Sequence, residues 1–75
     1  MDILQVFTQY GNDLLQEIKN TDYFQAVKIR DRYMGVYLFI RDYFCADMRT
    51  KNQVRQIFDS IYHLLDDTVN EKSVV

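Results

Sequence analysis

The chain of 75 residues contains no proline and no tryptophan, only two glycines and a single cysteine. The lack of proline and the scarcity of glycine favour long uninterrupted helices over turn-rich β architecture. A single cysteine, Cys45, excludes an intrachain disulfide and a zinc site built on several cysteines. It also favours a reducing compartment.

Long apolar runs are missing as well. The longest one covers residues 36–40, which is far shorter than the ~20 residues that a membrane-spanning helix needs. Residues 1–9 lack the basic flank and the apolar core of a signal peptide. We therefore expect a soluble, cytoplasmic protein that has no membrane partner.

Aromatic and aliphatic side chains are abundant in this short chain. Hydrophobic residues make up 48% of it, including six tyrosines and five phenylalanines, so the composition is not that of a disordered segment. The length predicts one domain, residues 1–75, close to the smallest size at which a single core is stable. Chains this small and apolar often complete their core by oligomerisation.

Charge is unevenly distributed along the chain, although the net charge is only −2. Residues 28–55 contain seven basic and three acidic groups, whereas 1–27 and 56–75 each contain four acidic groups and one lysine. A basic middle between acidic ends indicates segments that attract one another, within one chain or between chains.

Apolar periodicity predicts an all-α fold, a three-helix bundle with a long central helix. The expected helices cover about residues 2–19, 22–47 and 51–69, and residues 70–75 are expected to fray. Because both connections are short, sequential helices should be antiparallel neighbours.

Local signals refine the helix ends. Asp2, followed by Gln5, is a plausible N-cap of the first helix, and Thr50 followed by Gln53 fits a capping box at the start of the third. Gly11 costs about 1 kcal/mol in a helix relative to alanine, and it lies on the apolar side, where it permits close approach of another helix. The alternative is a break at residues 10–13, with Asn12 capping a second short helix, and we prefer the continuous helix.

Residues 33–48 carry more apolar surface than an amphipathic helix normally buries. At ~100° per residue, their large apolar side chains cover most of the helix circumference. Two neighbouring helices cover only part of such a surface, and Val36, Phe39 and Tyr43 are the expected surplus. Exposed aromatic clusters mark partner surfaces, so we predict self-association through the central helix, as a dimer.

Two arginines, Arg30 and Arg41, project into the apolar stripe that contains Tyr37. Each either extends outward to an acidic residue such as Glu17 or Asp66, or anchors a partner, since Arg and Tyr are favoured in interface hot spots. The candidate interface therefore consists of six residues: Arg30, Val36, Tyr37, Phe39, Arg41 and Tyr43.

The sequence signals for catalysis and for metal binding are weaker than those for an interface. The expected solvent face of the third helix carries three carboxylates and one imidazole, from Asp59, His63, Asp66 and Asp67. Side chains of these types can hold a divalent metal ion. One exposed helix face supplies too few ligands and does not exclude water, so we interpret these residues as an ordinary solvated face. Cys45 is interpreted as a buried structural cysteine. No catalytic, cofactor or metal site is predicted.

The expected function is therefore non-enzymatic: a small regulator, adaptor or inhibitor that binds another protein and also itself. So short a chain is not expected to form a deep concave pocket. The alternative is a nucleic-acid-binding regulator that uses the basic segment with its interleaved tyrosines. The cations of that segment are Lys28, Arg30, Arg32, Arg41, Arg49, Lys51 and Arg55.

Overall fold

A computed structural model describes residues 2–73 as three α-helices that pack against one another. The helices are α1 (Ile3–Glu17), α2 (Tyr23–Tyr43) and α3 (Met48–Lys72), and a 3₁₀ turn, Ile18–Asn20, follows α1. No strand occurs among the described residues. The all-α, three-helix prediction is therefore confirmed.

Aspartates cap the first two helices. One carboxylate oxygen of Asp2 accepts a hydrogen bond from the amide of Leu4 at 2.9 Å, so the predicted cap is confirmed. The carboxylate of Asp22 accepts from the amide of Gln25 at 2.8 Å. Each bond satisfies an amide that has no partner within the first helical turn.

The boundary between α2 and α3 differs from the prediction. The helix α2 ends at Tyr43, four residues early, and α3 begins at Met48, three residues before the predicted start. Asp47 is the N-cap, and its carboxylate accepts from the amide of Thr50 at 2.7 Å. The capping box predicted at Thr50 is therefore wrong, because Thr50 already lies inside the first turn of α3.

The relative helix lengths also differ from expectation. The central helix α2 has 21 residues, whereas α3 has 25, so the longest helix is the third rather than the second. Helical structure continues to Lys72, which corrects the predicted fraying of residues 70–72. Residues 74–75 of the predicted frayed tail lie outside the described residues.

The core is formed by one face of each helix and is rich in aromatic rings. The ring of Tyr33 stacks on Phe7 with centroids 4.7 Å apart and on Phe58 at 5.6 Å. Leu64 of α3 lies outside this core and is half-exposed. The buried apolar residues are Phe7, Leu14, Ile18, Ala26, Ile29, Tyr33, Tyr37, Ile40, Cys45, Val54, Phe58, Ile61, Leu65 and Val69.

Polar contacts join the helices at the end of the bundle where α3 terminates. The ammonium group of Lys72 donates to the carbonyl oxygens of Thr21 and Lys19 at 2.6 and 3.3 Å. The guanidinium of Arg30 on α2 donates to the carboxylate of Asp66 on α3 at 2.9 Å. These bonds hold the last turns of α3 against α2 and the connection that precedes it.

No helix within residues 2–73 has both the length and the apolar character required to cross a membrane.

Candidate protein-binding surface

The six candidate interface residues lie on two different sides of α2. Tyr37, Arg30 and Arg41 lie toward α3, whereas Val36 lies toward α1. Helical spacing places Phe39 and Tyr43, three and seven residues after Val36, on the same side as Val36. The structure therefore divides the predicted interface into two groups.

On the α3 side, the three residues are engaged with their own chain. The side chain of Tyr37 is only 9% exposed, and its ring stacks on Phe58 at 4.2 Å. Arg41 lies over the Tyr37 ring at 5.9 Å and donates to Asp42 at 3.0 Å. Arg30 pairs with Asp66 at 2.9 Å, which is one of the two acidic partners that the sequence suggested.

On the α1 side, an apolar groove separates α1 from α2. It is lined by Val6, Phe7 and Tyr10 of α1 and by Val36 and Ile40 of α2, and its volume is about 350 Å³. None of these side chains carries a charge. The groove is therefore suited to apolar groups of a partner rather than to polar ligands.

An exposed aromatic cluster lies beside this groove at the C-terminal end of α2. Phe39 is 54% exposed, Tyr43 75% and Phe44 56%. The ring centroid of Phe39 lies 5.0 Å from that of Tyr43 and 5.5 Å from that of Phe44. The ring of Phe39 thus contacts both of the others, and all three remain accessible to solvent.

Phe44 was missed by sequence reasoning. The predicted helix extends to residue 47 and would contain Phe44 in its last turn. In the structure Phe44 is the C-cap of α2, with φ −121° and ψ −5°, and its side chain joins the exposed rings. The missing signal was Asp47. As the N-cap of α3 it lies outside both helices, so α2 ends before it.

The apolar groove and the aromatic cluster form one continuous surface, which we call the apolar half of the α1–α2 face. Val36, Phe39, Ile40 and Tyr43 follow the i, i+3, i+4, i+7 spacing of one helix side. Val36 and Ile40 line the groove, and Phe39 and Tyr43 belong to the cluster.

The other half of the α1–α2 face is polar, and we call it the charged half. It is a groove whose lining includes Glu17 of α1 and Gln25, Lys28 and Arg32 of α2. The carboxylate of Glu17 lies 3.9 Å from the guanidinium of Arg32. The acidic group is thus on α1, and the basic groups are on α2.

The three aspartates of α3 belong to separate pairs. Asp59 pairs with Arg55 at 3.8 Å and Asp67 with His63 at 3.4 Å, whereas Asp66 faces Arg30 on α2. Among residues 2–73, no group of three or more His, Cys, Asp or Glu side chains is close enough to hold a metal ion.

Cys45 is buried in the connection between α2 and α3, as the sequence indicated. Burial raises the pKa of its thiol, which disfavours the reactive thiolate. The side chain therefore packs as a small apolar group.

Four of the seven cations in residues 28–55 form ion pairs within the chain. Arg30 pairs with Asp66 and Asp31, and the other three pairs are Arg32–Glu17, Arg41–Asp42 and Arg55–Asp59. The acidic partners reduce the positive potential that a nucleic acid would meet on this surface.

Comparison of the chain with models of protein families, with curated proteins and with solved structures gave no match.

Proposed function

We propose that this protein is a small non-enzymatic regulator of the cytoplasm, an adaptor or inhibitor, that acts by binding proteins and associates with itself through α2. The observation that carries the proposal is the apolar half of the α1–α2 face. In it, three aromatic rings are each more than half exposed beside an uncharged groove, and Phe39 contacts both of the others.

The physical basis is the cost of leaving such a surface in water. Burial of apolar area contributes about 25 cal/mol per Å², and an aromatic side chain buries roughly 150–250 Å². Clustered exposed aromatic residues are enriched at protein interfaces. A second copy of the chain covers Phe39, Tyr43 and Phe44 without requiring any further molecule, so a homodimer is the simplest complex.

A binding role has more support than a catalytic one. The groove lining contains no carboxylate and no imidazole, the groups that most often act as general acids and bases. The nucleic-acid alternative has less support than protein binding, because four of the seven cations of the basic segment have acidic partners within the chain.

The experiment is sedimentation velocity at several concentrations, with circular dichroism as the test of folding. We expect the wild-type protein to be a dimer and both Phe39→Asp and Tyr43→Asp to be helical monomers. Both side chains are largely exposed, so the substitutions should leave the core intact.

Leu64→Asp is the control. Leu64 is 50% exposed, but it lies on α3, outside the α1–α2 face. This variant should remain dimeric. A wild-type protein that stays monomeric at high micromolar concentration contradicts the proposal. A dimer that survives either substitution in the aromatic cluster shows that the surface is wrongly placed.

A further inference from the structure

We infer that two copies of this chain pack face to face across their α1–α2 faces, about a two-fold axis parallel to the helices. In this dimer α1 of each copy lies on α2 of the other. The inference rests on the proposed self-association and adds the orientation and the second helix of the interface.

The α1–α2 face is divided along its length into an apolar half and a charged half. The apolar half lies where α1 begins and α2 ends, and the charged half lies where α1 ends and α2 begins. An axis parallel to the helices brings apolar half onto apolar half. An axis across the helices would bring Phe39 and Tyr43 onto the charged half and bury charges against apolar rings, which is unfavourable.

The placement of charged residues on α1 and α2 favours the same axis. Glu17 and Arg32 face each other between α1 and α2 of one chain, 3.9 Å apart, so they lie at the same height along the bundle. Rotation about a two-fold axis parallel to the helices leaves the height of each residue unchanged and places α1 of one copy opposite α2 of the other. Glu17 therefore faces the partner's Arg32, and the symmetry repeats the contact.

Lys28 adds to the same complementarity. It lines the charged half together with Arg32, and both are on α2, opposite the partner's α1. An axis across the helices instead places α1 on α1, and Glu17 then lies at the opposite end of the face from the partner's Arg32. The axis that brings the two apolar halves together therefore also places opposite charges next to one another.

The apolar half supplies the matching contact. Phe39 and Tyr43 are on α2 at the height of the groove that Val6 and Tyr10 help to line. With α2 placed on the partner's α1, the aromatic rings of one copy reach the groove residues of the other. The groove is thus the expected seat of the partner's aromatic cluster.

The test uses charge reversal in two separately purified variants, Glu17→Arg and Arg32→Glu. Each variant alone places like charges at both symmetric contacts, and its dimer should dissociate about tenfold more readily than the wild type. In an equimolar mixture each arginine meets a glutamate of the other chain, so mixed dimers should form with near wild-type affinity.

Arg55→Glu is the control for charge reversal as such. Arg55 is exposed on α3 and pairs with Asp59, away from the α1–α2 face, so this variant should dimerise like the wild type. Sedimentation of the mixture, with one variant carrying a fluorescent label, measures the mixed dimer directly.

The outcomes separate the inference from the proposal on which it rests. If the mixed dimer is no tighter than the dimer of either variant alone, the proposed orientation is wrong. Loss of the dimer in Phe39→Asp would in that case still support self-association through α2. A monomeric wild type overturns both. Selective formation of mixed dimers supports both.

Discussion

The hydroxyl oxygen of Tyr33 lies 2.8 Å from the position that a Cβ atom would occupy on Gly11. Ile61 of α3 approaches the same position, with its Cδ1 at 2.7 Å. Gly11 therefore allows α2 and α3 to place side chains directly against the backbone of α1. Because Gly11 lies inside a continuous α1, the close-approach interpretation of this glycine is confirmed.

Gly11→Ala is expected to destabilise the fold. Alanine improves helix propensity by about 1 kcal/mol, but the new methyl group overlaps Tyr33 and Ile61, and overpacking of this kind costs roughly 1–3 kcal/mol. Urea denaturation followed by circular dichroism measures the free energy of unfolding.

Gly35→Ala is the matched control for this substitution. Gly35 is exposed in the interior of α2, and a Cβ atom added to it would meet no atom within 4 Å apart from the helix itself. Alanine there should stabilise the protein by about 0.5–1 kcal/mol. Equal stabilisation by both substitutions would show that Gly11 is not crowded.

Tyr33→Phe is expected to stabilise the protein by about 1 kcal/mol. The hydroxyl of Tyr33 is buried and has no hydrogen-bond partner within residues 2–73, and an unsatisfied buried polar group costs roughly 1–3 kcal/mol. Phenylalanine keeps the ring stacked between Phe7 and Phe58. A lower free energy of unfolding in Tyr33→Phe would indicate that the hydroxyl is bonded in solution.

The same hydroxyl predicts a loss of stability at high pH. Burial raises the pKa of Tyr33 above its ordinary value, which is about 10 in an unfolded chain. Above pH ~10 the unfolded chain releases this proton while the folded protein retains it, so the free energy of unfolding falls as the pH rises. Denaturation between pH 8 and 11 should show a weaker decline in Tyr33→Phe than in the wild type.

The sequence predicts the fold best where a helix has one clear apolar face. In α1 the spacing of Phe7 and Leu14 selects the buried side, which Ile18 continues in the 3₁₀ turn, and Asp2 marks the first turn. In α3 the spacing of the buried residues, which begin with Val54, likewise selects one side of the helix. Periodicity alone is sufficient there, because only one orientation buries the apolar residues.

It predicts α2 poorly because this helix is apolar on several sides. Met34 and Leu38 are as hydrophobic as the residues that are buried, yet both are exposed. The buried face carries Tyr33, which fits against Gly11, a contact between distant parts of the chain that no local pattern encodes. Exposure of Phe39 on one side and burial of Tyr37 on the other follow from that orientation.

Asp47→Ala should destabilise α3 more than Thr50→Ala does. The side chain of Asp47 accepts the amide of Thr50, so alanine leaves that amide without its partner and removes a negative charge from the helix N-terminus. Thr50→Ala keeps the amide and the cap. Thermal unfolding of the two variants compares the observed start of α3 with the predicted capping box, and a larger loss in Thr50→Ala would favour the latter.

Acid should abolish the contribution of the same cap. The backbone hydrogen bond from Thr50 lowers the pKa of Asp47 below the value of about 3.9 in an unfolded chain. Because the folded protein holds the ionised form more strongly, this contribution is complete above pH ~4 and disappears as the pH falls through the lowered pKa. A plot of unfolding free energy against pH should therefore decline less steeply below pH 4 in Asp47→Ala than in the wild type. Parallel curves would show that the carboxylate does not cap α3 in solution.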